Sequence, residues 1–213
     1  MTHLKRNAAP KSWPIPRKGT KFIVRAGIKE LPLLVALRDI LKLAKNRKEV
    51  KKAVHERKIA ISGKLITNDK AIMNLFDVLT IIPSKENYAL DLSDKGKYTL
   101  KKISEKEAKQ KIIKIINKKV LKGKKTQLNL FDGRNILESK ACGINDSLIL
   151  DLETKKVAEI LPMKEKSSVL VIEGKHIGEK GTILKIIPEL KMARLNSEGK
   201  EFNVLIKQLM VIK

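Results

Sequence analysis

The chain has 213 residues, with 47 Lys or Arg against 23 Asp or Glu, so its formal net charge is +24 and nucleic acid is the leading candidate partner. A membrane surface is the rival polyanion, but no apolar run approaches the roughly 20 residues that span a bilayer, which predicts a soluble intracellular chain. The single cysteine, Cys142, excludes an intramolecular disulfide and a cysteine-based metal cluster.

Residues 1–29 form a basic segment with eight Lys or Arg residues, no acidic residue and three prolines. Such a segment is expected to bury too little apolar surface to order itself alone. We interpret it as an arm that becomes ordered on RNA; the alternative is a solubilising tail, although such tails are more often acidic. Trp13 is predicted either to stack on a base or to dock on the body of the protein. The candidate phosphate contacts of the arm are Lys5, Arg6, Lys11, Arg17, Lys18, Lys21 and Arg25.

A first helix is predicted after Pro32, a residue that is well tolerated in the first turn of a helix. The apolar residues that follow recur at helical spacing and predict a face that packs into a core. These residues are Leu33, Leu34, Leu37, Ile40, Leu41 and Ala44. A short link at Lys45 then leads to a second helix.

The second helix is basic and is predicted to begin at Asn46, because Asn46 and Glu49 have the spacing of a capping box. Val50, Ala53 and Val54 lie on one side of this helix, and basic residues project from the other. An ordinary solvated face is the simpler interpretation, but such faces usually mix charges of both signs. The candidate phosphate contacts here and in the next segment are Arg47, Lys48, Lys51, Lys52, Lys58 and Lys64.

After the second helix the hydrophobic period changes to two, which predicts a β-hairpin. Ile59 and Ile61 alternate with a smaller residue, Ser62-Gly63 supplies the turn, and residues 64–67 resume the extended pattern. A further strand is predicted at residues 77–82 and closes a module of two helices and a hairpin.

Residues 93–167 are predicted to form a small β-barrel or a curled sheet. A turn is expected at residues 94–97, and Ser104 to Glu107 is a second capping box that starts a short helix through about residue 110. Residues 111–121 fit either a continued helix or a strand, and their β-branched side chains favour the strand.

Two turns and a strand pair complete the prediction for this central region. Gly123 offers a turn, residues 127–131 alternate, and Asp132-Gly133 is a strong hairpin signal. Residues 147–152 and 156–161 are predicted to form two paired strands.

Residues 168–213 are predicted to contain only short strands, five in number, which suggests an SH3-like barrel. Gly174, Gly178 and Gly181 follow the first of these strands within eight residues. Three glycines in so short a loop predict positive φ angles or a close approach of the backbone. A Ser197-Glu198-Gly199 turn is expected between the third and fourth strands.

The chain shows little that would support catalysis. His3, His55 and His176 stand singly, and neither a carboxylate pair nor a glycine-rich phosphate loop stands out. We therefore predict no enzyme activity, no catalytic residue, no metal site and no cofactor. An RNA-modifying enzyme with an appended RNA-binding module and a transcription elongation factor are the alternatives from other classes. Because aromatic residues make up only 3% of the chain, phosphate and shape recognition is favoured over base stacking.

Two segments resemble known RNA-binding modules. Val171-Ile172-Glu173-Gly174, followed by Gly178 and Gly181-Thr182-Ile183, resembles the KOW motif of ribosomal proteins and transcription elongation factors. The basic helix and the Ser62-Gly63-Lys64 turn resemble the RNA-binding module first described in ribosomal protein S4.

The amino terminus carries the most specific resemblance. His3-Leu4-Lys5-Arg6, residues 8–13 and Pro16-Arg17-Lys18 resemble the start of the archaeal and eukaryotic small-subunit ribosomal protein family S4e. Leu31-Pro32-Leu33-Leu34, Phe76-Asp77-Val78 and residues 103–108 continue the resemblance, so it spans essentially the whole chain in order.

The resemblance implies a cytoplasmic, structural constituent of the small ribosomal subunit. Its expected partners are ribosomal RNA and neighbouring ribosomal proteins, with no membrane and no small-molecule substrate. The expected fold is α+β, with a basic arm at residues 1–29, a module of two helices and a hairpin at 30–92, a central β-rich domain at 93–167 and an SH3-like KOW barrel at 168–213. In this interpretation phosphate contacts supply affinity through counterion release, and rigid modules hold neighbouring RNA helices in a fixed relation.

Overall fold

A computed structural model describes residues 3–122, 126–138 and 141–213. Contacts between residues divide the chain into two compact units. Unit 1 runs through Ser93 and includes Lys97–Lys111, and unit 2 comprises Asp94–Gly96 and Ile112–Lys213. Both units are rich in strands and poor in helix. No helix in the described part of the chain is long and apolar enough to cross a membrane.

The basic segment at the amino terminus is folded into unit 1. Strand β1, Leu4–Lys5, pairs antiparallel with β2, Phe22–Ile23, and a 3-10 turn follows β1 at Arg6–Ala8. Trp13 is 1% exposed, and its indole Nε1 donates to the Glu30 carbonyl oxygen over 2.8 Å. The segment is therefore ordered by packing on the rest of unit 1 and not only on RNA, and Trp13 docks on the body of the protein, the second of its two predicted alternatives.

The first helix is shorter than predicted. Leu33–Val35 is α-helical (α1), and Ala36–Ile40 continues it as a π-helical turn. All residues from Leu33 to Leu37 are buried, which confirms the predicted core contact for Leu33, Leu34 and Leu37, whereas Ile40, Leu41 and Ala44 are only half-buried. The helix ends before Leu41 and Ala44, and Lys42 follows with a φ of 55°. Just upstream, β3 (Leu31–Pro32) pairs with β6 (Ile72–Met73).

The second helix and the hairpin are confirmed. Helix α2 is Arg47–His55, and the Asn46 side chain accepts a hydrogen bond from the Glu49 backbone N–H at its start. Strands β4 (Ile59–Ile61) and β5 (Lys64–Leu65) follow, joined by Ser62 and Gly63 at φ 46° and 76°. Two positive φ values in a two-residue loop match the twist of a hairpin.

The hairpin belongs to a larger sheet than the sequence predicted. Strands β7 (Val78–Ile81), β8 (Glu86–Leu92) and β9 (Tyr98–Ile103) extend it in the order β5-β4-β7-β8-β9. Strands β8 and β9 were not predicted, because charged residues interrupt the alternation of apolar and polar side chains within each strand. The turn predicted at residues 94–97 is present between them. Helix α3, Glu105–Ala108, has the predicted Ser104 capping box and ends two residues early.

The first part of unit 2 is a five-stranded sheet. Its strands are β10 (Gln110–Val120, whose first two residues belong to unit 1), β11 (Thr126–Leu130), β12 (Asn135–Glu138), β13 (Ser147–Asp151) and β14 (Val157–Leu161). Their order is β12-β11-β10-β13-β14. The favoured strand at 111–121, the Asp132-Gly133 hairpin and the last strand pair are confirmed. The turn predicted at Gly123 lies outside the described residues.

The remaining strands of unit 2 form a second antiparallel sheet of five. They are β15 (Ser168–Val171), β16 (Lys180–Ile187), β17 (Met192–Ser197), β18 (Lys200–Leu205) and β19 (Leu209–Val211). The order is β18-β17-β16-β15-β19, with a 3-10 turn at Ile206–Gln208 before β19. All five predicted strands are present, and their inward side chains share one apolar cluster that includes Val169, Ile183 and Leu195.

Candidate nucleic-acid interface

Helix α2 presents a rigid row of cations. Val50 and Val54 are buried and fix the helix to unit 1, so the opposite side faces outward. Lys48, Lys51 and Lys52 are exposed on that side. The one carboxylate in the first turn, Glu49, is occupied at the cap, where its Oε2 accepts from the Lys45 N–H over 2.7 Å. Because the backbone of the helix is already ordered, contacts made by these ammonium groups cost no further backbone conformational entropy.

Two carboxylates neutralise part of this surface. Asp69 Oδ2 accepts from Arg47 Nε over 2.6 Å, and this hydrogen bond holds the pKa of Asp69 below its ordinary value. Glu56 lies 2.5 Å from Lys58 Nζ, and the hydrogen bond from Lys58 likewise lowers the pKa of Glu56. Both carboxylates are thus ionised at neutral pH, and they make Arg47 and Lys58 weaker attractors of phosphate than their charge alone suggests.

The other predicted cations of the helix and hairpin differ in this respect. Lys52 has only a long contact, 3.9 Å from Glu56. Among the residues that the structure describes, Lys48, Lys51 and Lys64 make no ion pair within 4.0 Å, although Lys51 attracts the Asp69 carboxylate at longer range. Lys64 begins β5, directly after the hairpin turn, and is exposed. These lysines are consequently the strongest phosphate candidates of unit 1.

The predicted cations of the amino-terminal segment fall into two groups. Arg6 donates to the Thr20 and Pro16 carbonyl oxygens and to Thr20 Oγ1 over 2.8 to 3.0 Å, and Arg17 donates to the Ala9 carbonyl over 2.7 Å. These two guanidinium groups hold the loops of the segment together. The remaining members of the set are exposed: Lys5, Lys11, Lys18, Lys21 and Arg25.

A cationic cavity of about 350 Å³ in unit 1 was not predicted from the sequence. Arg6, Arg25, Arg38, Arg47 and Lys70 line it together with apolar residues. Arg38 and Lys70 are absent from the predicted set, because no local sequence pattern indicates that a residue of the first helix and one of a later loop line the same cavity as Arg25. Their charge was the only available signal.

The side chains with nucleophilic or proton-transfer chemistry are dispersed. In unit 1, His3 meets the ring of Phe22 edge-on, with centroids 4.8 Å apart. In unit 2, His176 stacks on Phe202 at 4.2 Å and lies 3.0 Å from Glu179. Burial raises the pKa of the Cys142 thiol, which disfavours the reactive thiolate.

Comparisons with known proteins point to one family. The model described as "Ribosomal family S4e" matches residues 84–157, and that of the RS4NT domain matches residues 2–27. The small ribosomal subunit protein eS4 of Methanocella arvoryzae is 38% identical over 190 residues, covering 86% of this chain and 80% of the relative. The eS4 protein of Archaeoglobus fulgidus is 35% identical over 209 residues, covering 95% of this chain and 88% of the relative.

A solved structure agrees with the sequence relatives. The crystal structure of the 30S ribosomal protein S4e from Thermoplasma acidophilum matches with a TM-score of 0.74 and 25% identity. The match covers 86% of this chain and 95% of the other. The similarity therefore extends over most of the fold.

Proposed function

The chain belongs to the S4e family of ribosomal proteins, and we propose that it is a structural constituent of the small ribosomal subunit that binds ribosomal RNA. It supports translation as part of a cytoplasmic ribonucleoprotein, with ribosomal RNA and neighbouring ribosomal proteins as its partners. The family is a structural, non-enzymatic component of the subunit. None of the relatives named above is an RNA-modifying enzyme or an elongation factor, so neither alternative gains support.

The exposed row Lys48, Lys51 and Lys52 on α2 is the observation that carries the proposed mode of binding. Each ammonium group that meets a phosphate releases a condensed counterion, and this release supplies affinity that does not depend on sequence. A rigid capped helix also fixes where those phosphates lie, so the contact selects RNA shape as well as charge. Affinity and positioning thus come from the same element.

We propose that the thirteen cations predicted from the sequence contribute unequally. Arg6 and Arg17 act mainly by holding the amino-terminal segment in shape, which presents the other cations of that segment to RNA. Arg47 and Lys58 contribute less than their neighbours because Asp69 and Glu56 partly neutralise them. Lys48, Lys51, Lys52 and Lys64 make the principal contacts.

We also propose that residues 168–213 form an SH3-like barrel of the KOW type. Support comes from five short antiparallel strands in the order β18-β17-β16-β15-β19 and from one apolar cluster between them. The loop after β15 carries Gly174 and Gly178 at φ 96° and 94°, as a tight glycine loop requires. The division into four segments, at residues 1–29, 30–92, 93–167 and 168–213, belongs to the same proposal, except that β9 and α3 go with unit 1, because β9 pairs with β8.

Salt dependence tests the proposed function. Binding of the full chain to a small-subunit ribosomal RNA fragment is measured by fluorescence anisotropy between roughly 50 and 200 mM salt. If six or more phosphates are engaged, affinity falls on the order of a thousandfold over this range. A nearly flat response would overturn the phosphate-based mode. Cosedimentation with small subunits after a high-salt wash tests membership of the subunit itself, since an elongation factor would be washed away.

A further inference from the structure

The cavity of about 350 Å³ in unit 1 combines two chemistries. Its walls come from strand β2 and the residues after it, from the start of α1 and the π-helical turn, and from the first residue of α2. Cavities that hold small organic groups run from roughly 300 to 1,000 Å³, so this one suits a single nucleotide rather than a longer stretch of chain.

The lining of the cavity is strongly basic. Arg25, Arg47 and Lys70 are exposed at the cavity, and Arg38 lies beside them. No carboxylate belongs to the described lining, although Asp39 and Asp69 pair with Arg38 and Arg47 from just outside it. Cations still outnumber these two carboxylates, so the cavity attracts an anion.

The lining also contains apolar residues and an aromatic ring. Ile15, Leu34 and Val35 are buried aliphatic residues of the lining. Phe22 is 48% exposed, the His3 ring meets it edge-on at an interplanar angle of 77°, and Lys21 Nζ lies over its ring at 5.5 Å from the centroid, so a base would stack on Phe22 in competition with this ammonium group. A lining that holds an exposed aromatic ring and aliphatic side chains suits a flat group with little affinity for water. Trp13 and Tyr98 of the same unit are buried and offer no such surface.

We propose that this cavity receives one unpaired nucleotide of ribosomal RNA, with its base against Phe22 and its phosphates toward Arg25, Arg47 and Lys70. A nucleotide is the unit of RNA that supplies both a flat apolar face and an adjacent anion. The inference rests on the proposed function and deepens it, because it adds recognition of an extruded base to a surface otherwise suited to phosphate and shape. A fully paired helix cannot fill the cavity, since its bases stay stacked.

Three RNA hairpins test the inference with the full-length chain at one salt concentration. The first is fully paired, the second carries a single bulged adenosine, and the third has an abasic nucleotide at the bulge. We expect the adenosine bulge to bind about tenfold more tightly than the paired hairpin, as stacking of one base on an aromatic ring would give. The abasic hairpin should bind like the paired one, which separates the base from backbone flexibility.

Two variants locate the effect. Phe22→Ala should abolish the preference for the adenosine bulge, whereas Leu137→Ala, which removes an apolar side chain 58% exposed in unit 2, should keep it. Emission from Trp13 checks that unit 1 of the Phe22 variant remains folded. Equal affinity for the paired and bulged hairpins, or a preference that survives Phe22→Ala, would overturn the inference and leave the proposed function standing. Failure to bind any of the hairpins would overturn both.

Discussion

Lys111 Nζ donates to Asp77 Oδ1 over 2.8 Å inside unit 1, with the two side chains 1% and 6% exposed. The same carboxylate accepts from Ser62 Oγ at 2.5 Å, and its other oxygen accepts from the Asn74 N–H at 2.7 Å. Ser62 is the first residue of the hairpin turn that precedes Lys64. The buried ion pair therefore anchors the turn on which a principal phosphate candidate stands.

Replacing Lys111 with Met should destabilise unit 1 by about 3 to 5 kcal/mol. The substitution keeps the volume of the side chain but leaves the Asp77 carboxylate buried without its counter-charge. Urea unfolding followed by emission from Trp13, the single tryptophan of the chain, measures the loss in the unit concerned. Lys119→Met, an exposed position on the same strand β10, should change the free energy of unfolding by about 0.5 kcal/mol or less. Equal unfolding midpoints for the two variants would contradict the role given to the ion pair.

The Asp77–Lys111 pair also marks the limit of prediction from sequence. The caps at Asn46 and Ser104 were predictable because both partners lie within three residues, where helix geometry fixes their distance. Asp77 and Lys111 are 34 residues apart, and no periodic pattern brings them together. Trp13 is a similar case, since its indole donates to the Glu30 carbonyl oxygen 17 residues away. The cationic cavity was missed for the same reason.

Gly181 is required for space and not for its backbone angle. The sequence predicted either a positive φ or a close approach of the backbone at the three glycines after β15. Gly174 and Gly178 have positive φ angles, and Gly181 lies at a close approach of the backbone. A Cβ at Gly181 would lie 2.5 Å from the Asn196 carbonyl oxygen, a backbone atom of the neighbouring strand.

Gly181→Ala should therefore lower the free energy of unfolding by about 1 to 3 kcal/mol, since β16 and β17 must separate to admit a methyl group. Far-UV circular dichroism of the full chain in urea measures this change. Gly133→Asn is the matched control in the same unit, because Gly133 has a φ of 82° with open space around it and Asn tolerates that conformation. If the alanine variant unfolded at the same urea concentration as the parent, the close approach at Gly181 would not contribute to the free energy of unfolding.

Removing the carboxylate beside Arg47 should strengthen RNA binding. The hydrogen bond from Arg47 lowers the pKa of Asp69, so this carboxylate stays charged throughout the neutral range and offsets Arg47. In Asp69→Asn the guanidinium group becomes available for one more phosphate, and the slope of log affinity against log salt should steepen by about one. Glu165→Gln, at an exposed position in unit 2, makes the same change in net charge and should leave the slope unaltered. Identical slopes for both variants would assign the effect to net charge alone.

Because the amino-terminal segment is folded into unit 1, deleting it is a poor test of how much its cations contribute to RNA binding compared with those of α2. Deleting residues 2–25 would remove cations, but it would also remove Trp13 and Ile15 from the interior of unit 1. Weaker binding by the truncated chain would then reflect lost structure as well as lost charge. Substitutions at exposed positions separate these two causes, and α2 offers three such positions on a helix that stays anchored by Val50 and Val54.

Reversing Lys48, Lys51 and Lys52 to Glu should weaken binding to a small-subunit RNA fragment by at least about tenfold and reduce the salt slope by about three, one for each lost phosphate contact. The circular dichroism spectrum should not change, because none of the three side chains is buried. Lys164, Lys185 and Lys200, all exposed in unit 2, reversed together provide a control with the same change in net charge. If long-range charge alone governed binding, the two triple variants would lose affinity equally. A larger loss for the α2 variant is expected, since only close contacts on a rigid helix release counterions from particular phosphates; an equal loss would show that the α2 row is an ordinary solvated face.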